Sequence, residues 1–457
     1  MYKKQDYNYL QKIYNHNNNE LIVVYGDKKC EILDLVNIFC ENKSAFIYSA
    51  VDIDFSIQEN LFIKELNFSN KLPLFRGSNL DETLKAYLST FADGKHIIVF
   101  DEFTNILVEY PTFINYLINL MSKDVYKEQL MIILCSTDVD YVENIMIKSN
   151  NRFIYEISGI LKVTTFDYND ICEQFSNITD YNCFALYAFT GGNQIFLDKA
   201  SDIKLFKDYL IDHMLNKDDE LYYAYYNIFP DKIRQTSLYN SILYTIAKGY
   251  NTLKQLHEAL NIDRAKLSVY LKTLMSYNII YKSECAEVDN MSCTKKGVYK
   301  FTDPYTHYWY YFVFGAYTAF RTLSAERFYK KIIEPRISDY LKSYYIVYCQ
   351  RKIKLMTENN QYNFNIDRME NYNDKMNAID FIIYTSDNRK LVCSCDYGLY
   401  RTGYKKYEQI VESAKKAKID YEYIIIFSNY DFESKLLNAT QKNMKLILIG
   451  EKDKWIN

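Results

Sequence analysis

Short apolar runs alternate with longer amphipathic stretches from Glu20 to about Asp170. Leu21 to Tyr25, Ala45 to Ser49, Ile97 to Asp101, Leu130 to Cys135 and Leu161 to Val163 are brief and apolar, which predicts buried strands. Between them the spacing predicts helices near Leu33 to Cys40, Leu80 to Ala92 and Thr112 to Ser122. Such alternation is the rhythm of a parallel α/β sheet. Tyr168 to Leu215 then reads as helical, and Thr190-Gly191-Gly192 breaks the pattern where a turn between helices would fall.

Gln235 to Phe301 has a pattern of its own. Leu238 to Lys248, Thr252 to Leu260 and Arg264 to Ser276 predict helices, with Asn261-Ile262-Asp263 as a tight turn before the third. Ile279 to Lys282 and Gly297 to Thr302 predict strands around the polar insert Ser283 to Lys296. Three helices and a hairpin in this order make a winged helix-turn-helix. On its third helix Leu267, Leu271, Leu274 and Met275 are expected to face inward, leaving Arg264, Lys266, Ser268, Lys272 and Thr273 outward. An aromatic helical connector from Asp303 to Tyr348 leads back to α/β periodicity. Ile379 to Tyr384, Lys390 to Cys395, Tyr423 to Ser428 and Lys445 to Ile449 predict strands, with a helix at Lys405 to Lys418.

With 457 residues, 49% hydrophobic and 25% charged, the chain can bury a large core, and its length suits about three domains. The 47 Tyr, beside many Asn and Lys, point to an AT-rich coding bias, so single tyrosines carry little functional weight. A formal charge of -3 predicts no general attraction to nucleic acid, and any basic surface must be local. Ten cysteines occur without a C-x-x-C pair, and Met1 to Tyr14 has no charged start followed by an apolar signal core; a reduced cytoplasm is the expected location. Cys393 and Cys395 share one face of a predicted strand without a matching ligand set and read as core thiols. No apolar run approaches the roughly 20 residues that cross a bilayer, so no membrane association is expected.

The segment Glu20 to Phe39 has the outline of a phosphate-binding strand-loop-helix. A working loop reads G-x-x-x-x-G-K-[ST], because the glycines let backbone amides approach phosphates, the lysine pairs with them and the hydroxyl holds Mg²⁺. Gly26 keeps the first place. Glu31, Ile32 and Leu33 occupy the others, so an anion would meet a carboxylate and two hydrocarbon side chains. Gly26, Lys28, Lys29 and Ser136 are left as the residues that could face a nucleotide. Ile97 to Glu102 is four apolar residues followed by two carboxylates, Asp101 and Glu102, the form of a Walker B strand.

In order, VVYGDKKCEILDLV, IIVFDEF, LMIILCST, the Thr190-Gly191-Gly192 turn, LYNSILYTIAKGYNTLKQL with KLSVYLKTLMSYNIIYK, and KFTDPYTHYWYYFVF resemble the archaeal-type ATPases. These are AAA-like P-loop proteins fused to a winged helix and to a C-terminal domain similar to PD-(D/E)xK nucleases. The resemblance runs nearly end to end. It implies an α/β fold class: an AAA-like three-layer core over 1–168, a helical lid-like segment over 169–234, a winged helix over 235–302, the aromatic connector over 303–348, and a small restriction-endonuclease-like α/β domain over 349–457. It also implies ATP and Mg²⁺ as an active relative's cofactors, with Asp101 holding the metal through water, Glu102 polarising the attacking water, and Ser136 or Thr137 sensing the γ-phosphate. On the other reading, these acids and hydroxyls cap the helices that follow them. In the segment that carries the family's arginine finger, FIYEISGILKV, Glu156 and Ile157 stand where Gly and Arg are expected, with Arg152 nearby.

The nuclease-like resemblance places Asp380 at the first acid of that motif. Ser394, Cys395 and Asp396 align with Glu-x-Lys, which removes the second carboxylate and the cation, and about Tyr345 a helical Glu is also replaced. Within Gln235 to Phe301, nine Lys and Arg face five Asp and Glu, a local basic excess. Arg264, Lys266, Ser268, Lys272 and Thr273 are thus candidates for duplex DNA, with Lys266 on the backbone and the others able to reach base edges; packing between the two α/β domains is the equal alternative. The run Tyr305, Tyr308, Trp309, Tyr310, Tyr311, Phe312 and Phe314 is expected to be interdomain core, and His307 structural. The expectation is an impaired ATPase-family protein acting as a scaffold or DNA-associated regulator. The alternatives are a weak ATP switch working with a paralogous ATPase or a second copy, and a cryptic nuclease.

Overall fold

The computed structural model describes residues 2–27, 30–70, 79–88, 94–122, 130–148, 156–200, 203–229, 236–283, 297–372, 378–398, 400–442 and 445–450. Its chain divides into two compact units, Met1–Phe166 with Asn193–Asp198, and Asp167–Gly192 with Lys199–Asn457.

The first unit is built on strands β1 (Glu20–Tyr25), β2 (Ala45–Ser49), β3 (His96–Asp101), β4 (Leu130–Ser136) and β5 (Gly159–Lys162). They lie in the order β2-β3-β4-β1-β5 with every pairing parallel, as the alternating pattern predicts. All seven residues of β4 are buried, because the sheet is covered on both faces. Leu130, Ile132 and Leu134 enter one core with Phe62, Leu84 and Phe113. Met131, Ile133 and Cys135 enter the other, with Leu35, Val36 and Phe39 of the Ile32–Cys40 helix. The helices Lys4–Tyr14, Phe55–Asn70 and Thr104–Glu109 and the π-helical turn Tyr141–Ile147 were not expected. The Leu80 helix is described as Leu80–Leu88, and the rest of its expected span lies outside the described residues.

In the second unit the Asp180–Thr190 helix ends at Gly191 in the left-handed region, φ 65°, as the turn signal requires. A side chain there is also sterically excluded: a Cβ would lie 2.5 Å from Asp303 Oδ1. The Tyr340 hydroxyl reaches Ala188 O at 2.7 Å and Pro304 O at 3.0 Å. Tyr305, Tyr308, Trp309, Tyr310 and Phe312 are buried, so the aromatic run is interior rather than a stacking surface, while Tyr311 and Phe314 are half-buried. Helices Ser237–Ala247, Leu253–Leu260 and Arg264–Ser276 precede an antiparallel hairpin of β6 (Ile280–Ser283) and β7 (Val298–Phe301). Thr252 bridges to Val298 as a third edge.

The last sheet runs β12 (Leu446–Gly450), β11 (Tyr423–Ser428), β10 (Lys390–Asp396), β9 (Phe381–Thr385), β8 (Ile366–Asn371). β8, β9 and β10 form an antiparallel meander, and β10 crosses to β11 in parallel through the Tyr404–Lys416 helix. The 22-residue helix Ile337–Glu358 runs through position 349, where the sequence suggested a domain boundary.

Candidate functional site

Gly26 follows β1 directly, and a Cβ on it would stand 2.4 Å from the carbonyl oxygen of Val163. Its amide donates to Ser136 O at 3.2 Å. Glycine is therefore needed here by close packing, with or without a phosphate. Lys28 and Lys29 lie outside the described residues. At the helix start Glu31 takes the left-handed conformation, φ 43° and ψ 55°, and Ile32 is buried in the core. Burial raises the Glu31 carboxyl above its ordinary range, and Asp34 and Asp198 push it the same way. Gln194 Nε2 donates to Asp34 Oδ2 at 3.1 Å. Where a P-loop gathers cationic and amide donors, this helix start gathers three carboxylates. The cavity beside it, lined by Lys3, Asp6, Cys30, Thr164 and Gln194 among others, holds about 10 Å³. That is room for about one water, against several hundred Å³ for a small-molecule site. A triphosphate with Mg²⁺ does not fit the described residues of this loop.

Across the sheet the two expected acids are both held by hydroxyls. Ser49 Oγ donates to Asp101 Oδ2 at 2.9 Å, and burial, opposed by that hydrogen bond, raises the Asp101 carboxyl. Glu102 sits at φ 48° and accepts from the Thr137 hydroxyl at 2.5 Å and the Thr137 amide at 3.2 Å. Ser136 is fully buried. Its hydroxyl meets Thr104 Oγ1 at 3.1 Å and accepts from the Asp138 amide, also at 3.1 Å. Of the two adjacent hydroxyls it is Thr137, not Ser136, that touches a Walker B-like acid. Glu156 is exposed, Ile157 packs on the core, and Arg152 lies outside the described residues.

In the C-terminal sheet, Asp380 precedes β9 and lies beside the end of β10. Its Oδ2 accepts from the Cys395 amide at 2.6 Å and lies 3.4 Å from Ser394 Oγ. Burial raises its carboxyl, while the Cys395 amide, Lys406, Ser394 and Lys342 act to lower it. Asp396 does not turn to Asp380: its Oδ2 accepts from Thr402 Oγ1 at 2.6 Å, a tie that sequence reading missed. Among the described residues no group of three His, Cys, Asp or Glu side chains could hold a metal ion. Cys393 and Cys395 are buried free thiols, held up by burial.

Asp263 caps the Arg264–Ser276 helix, accepting from the amides of Ala265 and Lys266. Leu267, Leu271 and Leu274 are buried, but Met275, expected inside, is half-buried, because at the helix end its side chain clears the hydrophobic stripe. Arg264, Lys266 and Lys272 are exposed. The Ser268 hydroxyl folds back on Arg264 O at 2.7 Å and the Thr273 hydroxyl on Val269 O at 3.2 Å, leaving three free cations on the helix and two hydroxyls turned to its backbone. Lys300, counted in the basic excess, departs from it: burial pulls its ammonium down, opposed by the charge of Asp380. Glu284, Glu287, Asp289, Lys295 and Lys296 lie outside the described residues.

No family model matches the chain. An uncharacterized protein of Methanocaldococcus jannaschii is 24% identical over 299 residues, which is 65% of this chain, and the chain spans 65% of that relative's length. Among solved structures, a Walker-type ATPase of Pyrococcus abyssi is similar at a TM-score of 0.44 and 16% identity, over 67% of this chain and 95% of its own. The Aeropyrum pernix ORC2 protein, solved in ADPNP–ADP complexes, gives 0.43 and 11% over 74% and 94%. Cdc6p of Pyrobaculum aerophilum gives 0.34 and 13% over 71% and 93%. No helix of the described residues is long and apolar enough to cross a membrane.

Proposed function

We propose that this chain is an ATPase-family relative without nucleotide chemistry, which uses its winged helix to hold duplex DNA and its C-terminal α/β domain as a nuclease-derived scaffold. The observation that carries the reading is the closure of the nucleotide face on itself. Glu102 is bound by Thr137, Ser136 by Thr104 and Asp138, and Glu31 joins Asp34 and Asp198 where a phosphate would need positive charge. A bound metal needs phosphates and phosphates need donors; with acids and hydrocarbon in the donor positions, Asp101 and Glu102 have nothing to act on. The C-terminal reading follows the same logic. One carboxylate, Asp380, faces a hydroxyl and an amide in place of a second acid, so a divalent cation lacks ligands.

DNA binding rests on Arg264, Lys266 and Lys272, three exposed cations on the helix that such modules place in the major groove. The nucleotide reading is tested by titrating mant-ATP with and without Mg²⁺ into the wild type and an Asp101→Ala variant. No saturable signal is expected in either. Magnesium-dependent binding in the wild type that the variant loses would overturn it and make the chain an ATP switch. The DNA reading is tested separately by duplex mobility shift, in which Lys266→Glu and Lys272→Glu are each expected to weaken the complex.

A further inference from the structure

The helices Ser237–Ala247 and Leu253–Leu260 flank an open cavity of about 560 Å³, apart from every site described above. That volume lies within the range of about 300–1,000 Å³ of small-molecule sites, whereas the cavity lined by Lys3 and Gln194 holds about 10 Å³. Tyr244 and Tyr250 supply its aromatic surface. The Tyr244 ring meets Phe314 at 5.6 Å, and a Cβ on Gly315 would lie 2.6 Å from its hydroxyl, so the connector holds it from behind. Tyr250 stands on the turn between the two helices with half of its surface exposed and its amide on Thr245 O at 3.2 Å.

Two charged side chains line the cavity, and only one has a partner. Glu258 Oε1 lies 3.7 Å from Lys254 Nζ, an ion pair one helical turn apart. The Lys248 ammonium rests over the Tyr244 ring, 5.2 Å from its centroid, and makes no hydrogen bond or ion pair among the described residues. Gln255 Oε1 accepts from the Thr252 amide at 3.1 Å and the Thr252 hydroxyl at 2.8 Å, which leaves its amide nitrogen as a second free donor. The Thr245 hydroxyl is committed to Ser241 O at 2.7 Å. What the lining leaves unmet is one cation and one neutral donor, a complement to negative charge. A single positive charge matches a monoanion; a phosphate dianion would keep one charge without a counterpart.

We infer that this cavity binds a small aryl carboxylate. Its carboxylate meets the Lys248 ammonium, with the Gln255 amide as a further donor in the same lining, and its ring lies against the open face of Tyr250. The Lys248 ammonium already covers the Tyr244 ring, so Tyr250 is the tyrosine left for stacking. Glu258, held by Lys254 on the same lining, disfavours a second negative charge on the ligand. Binding there requires neither a nucleotide nor a duplex.

The test titrates the full-length chain, by ligand-observed NMR, with naphthoate, naphthamide, naphthylmethylammonium and naphthyl phosphate, which share a ring and differ in the head group. Naphthoate is expected to bind best, about fivefold ahead of naphthamide, the effect of one partly exposed ion pair. That lead should shrink in high salt. Lys248→Gln should abolish it and leave naphthamide binding unchanged, while Tyr250→Ala should weaken naphthoate and naphthamide alike, about tenfold. Both side chains are exposed, so both variants should keep the wild-type urea midpoint. The wild type also decides without them. Equal or tighter binding of the ammonium probe would move the head group to Glu258, tighter binding of naphthyl phosphate would make this a phosphate site, and no saturable signal with any of the four would leave the cavity without a ligand of this kind; each overturns the assignment.

Discussion

Thr137 holds Glu102 at two points, its hydroxyl on Oε1 at 2.5 Å and its amide on Oε2 at 3.2 Å. The attachment joins the end of β3 to the residue after β4 across neighbouring parallel strands, and it stabilises Glu102 in a left-handed backbone conformation that a side chain adopts only at a cost. A carboxylate engaged on both oxygens by one residue is a structural strut before it is a general base.

Thr137→Val should therefore act on stability. It removes a charge-assisted hydrogen bond and leaves one carboxylate oxygen half-satisfied, a loss of about 1–3 kcal/mol in urea unfolding. Nucleotide affinity is expected to remain undetectable in the same variant. If releasing Glu102 instead creates mant-ATP binding, the strut is a latch on a working site.

Gly26→Ala tests whether the first loop glycine is kept for packing. With a Cβ position 2.4 Å from Val163 O, the strand ends must move apart, an overpacking cost of about 1–3 kcal/mol measurable by chemical denaturation. Wild-type stability in the alanine variant would mean that the β1 end is free to yield.

Glu31 gives a pH test with a definite sign. Its folded carboxyl is raised above the ordinary 4.5, by burial first and then by Asp34 and Asp198, so its contribution to stability is full below 4.5 and is lost as pH rises through the folded value. Relative to Glu31→Gln, the wild type should be less stable at neutral pH, and the gap should close in acid. Glu31→Gly, which suits φ 43°, should add roughly 1 kcal/mol at neutral pH. A gap that widens in acid would contradict the placement of the three acids.

His96 tests the core with the opposite sign. It is buried between Ser44 Oγ and Tyr87 Oη, both at 2.7 Å, and burial lowers it from 6.5 to about 4. Neutral His96 stabilises the fold above pH 6.5, and that contribution is lost as pH falls toward 4, roughly 3 kcal/mol in all. His96→Gln should be less stable at neutral pH yet flatter across this interval in urea titrations.

How much of this was legible depended on how local the signal is. β4, with its unbroken LMIILCS, and β1 could be read because a strand buried on both faces needs apolar residues at every position. β8, IDRMEN, was missed because an edge strand with exposed residues carries no such run. The Lys4–Tyr14 helix was missed because only Asp6, Leu10 and Ile13 on it are buried, too sparse a stripe to stand out. Asp101, Glu102 and Asp380 could be named from strand ends, but their partners could not. Thr137 is 35 residues from Glu102, and Ser394 is 14 from Asp380, so only folding shows which hydroxyl meets which acid. Lys300 reads as one more cation on a basic hairpin until the fold buries it, with the charge of Asp380 opposing that burial.

That burial separates the two proposed uses of the three helices and hairpin over 236–301. Each phosphate contact made by a lysine or arginine releases counterions, so the logarithm of affinity falls with the logarithm of salt by about 0.9 per contact. Lys272, exposed on the third helix, should contribute one such contact: Lys272→Gln is expected to lower duplex affinity and reduce the salt slope by about 1. Lys300→Gln should leave that slope unchanged, because burial holds the Lys300 ammonium out of the set that could meet a phosphate. The measurement is fluorescence anisotropy of a labelled duplex across a salt series. Equal slopes in the wild type and Lys272→Gln would assign these helices to packing, since a helix that touches no phosphate has no counterions to release.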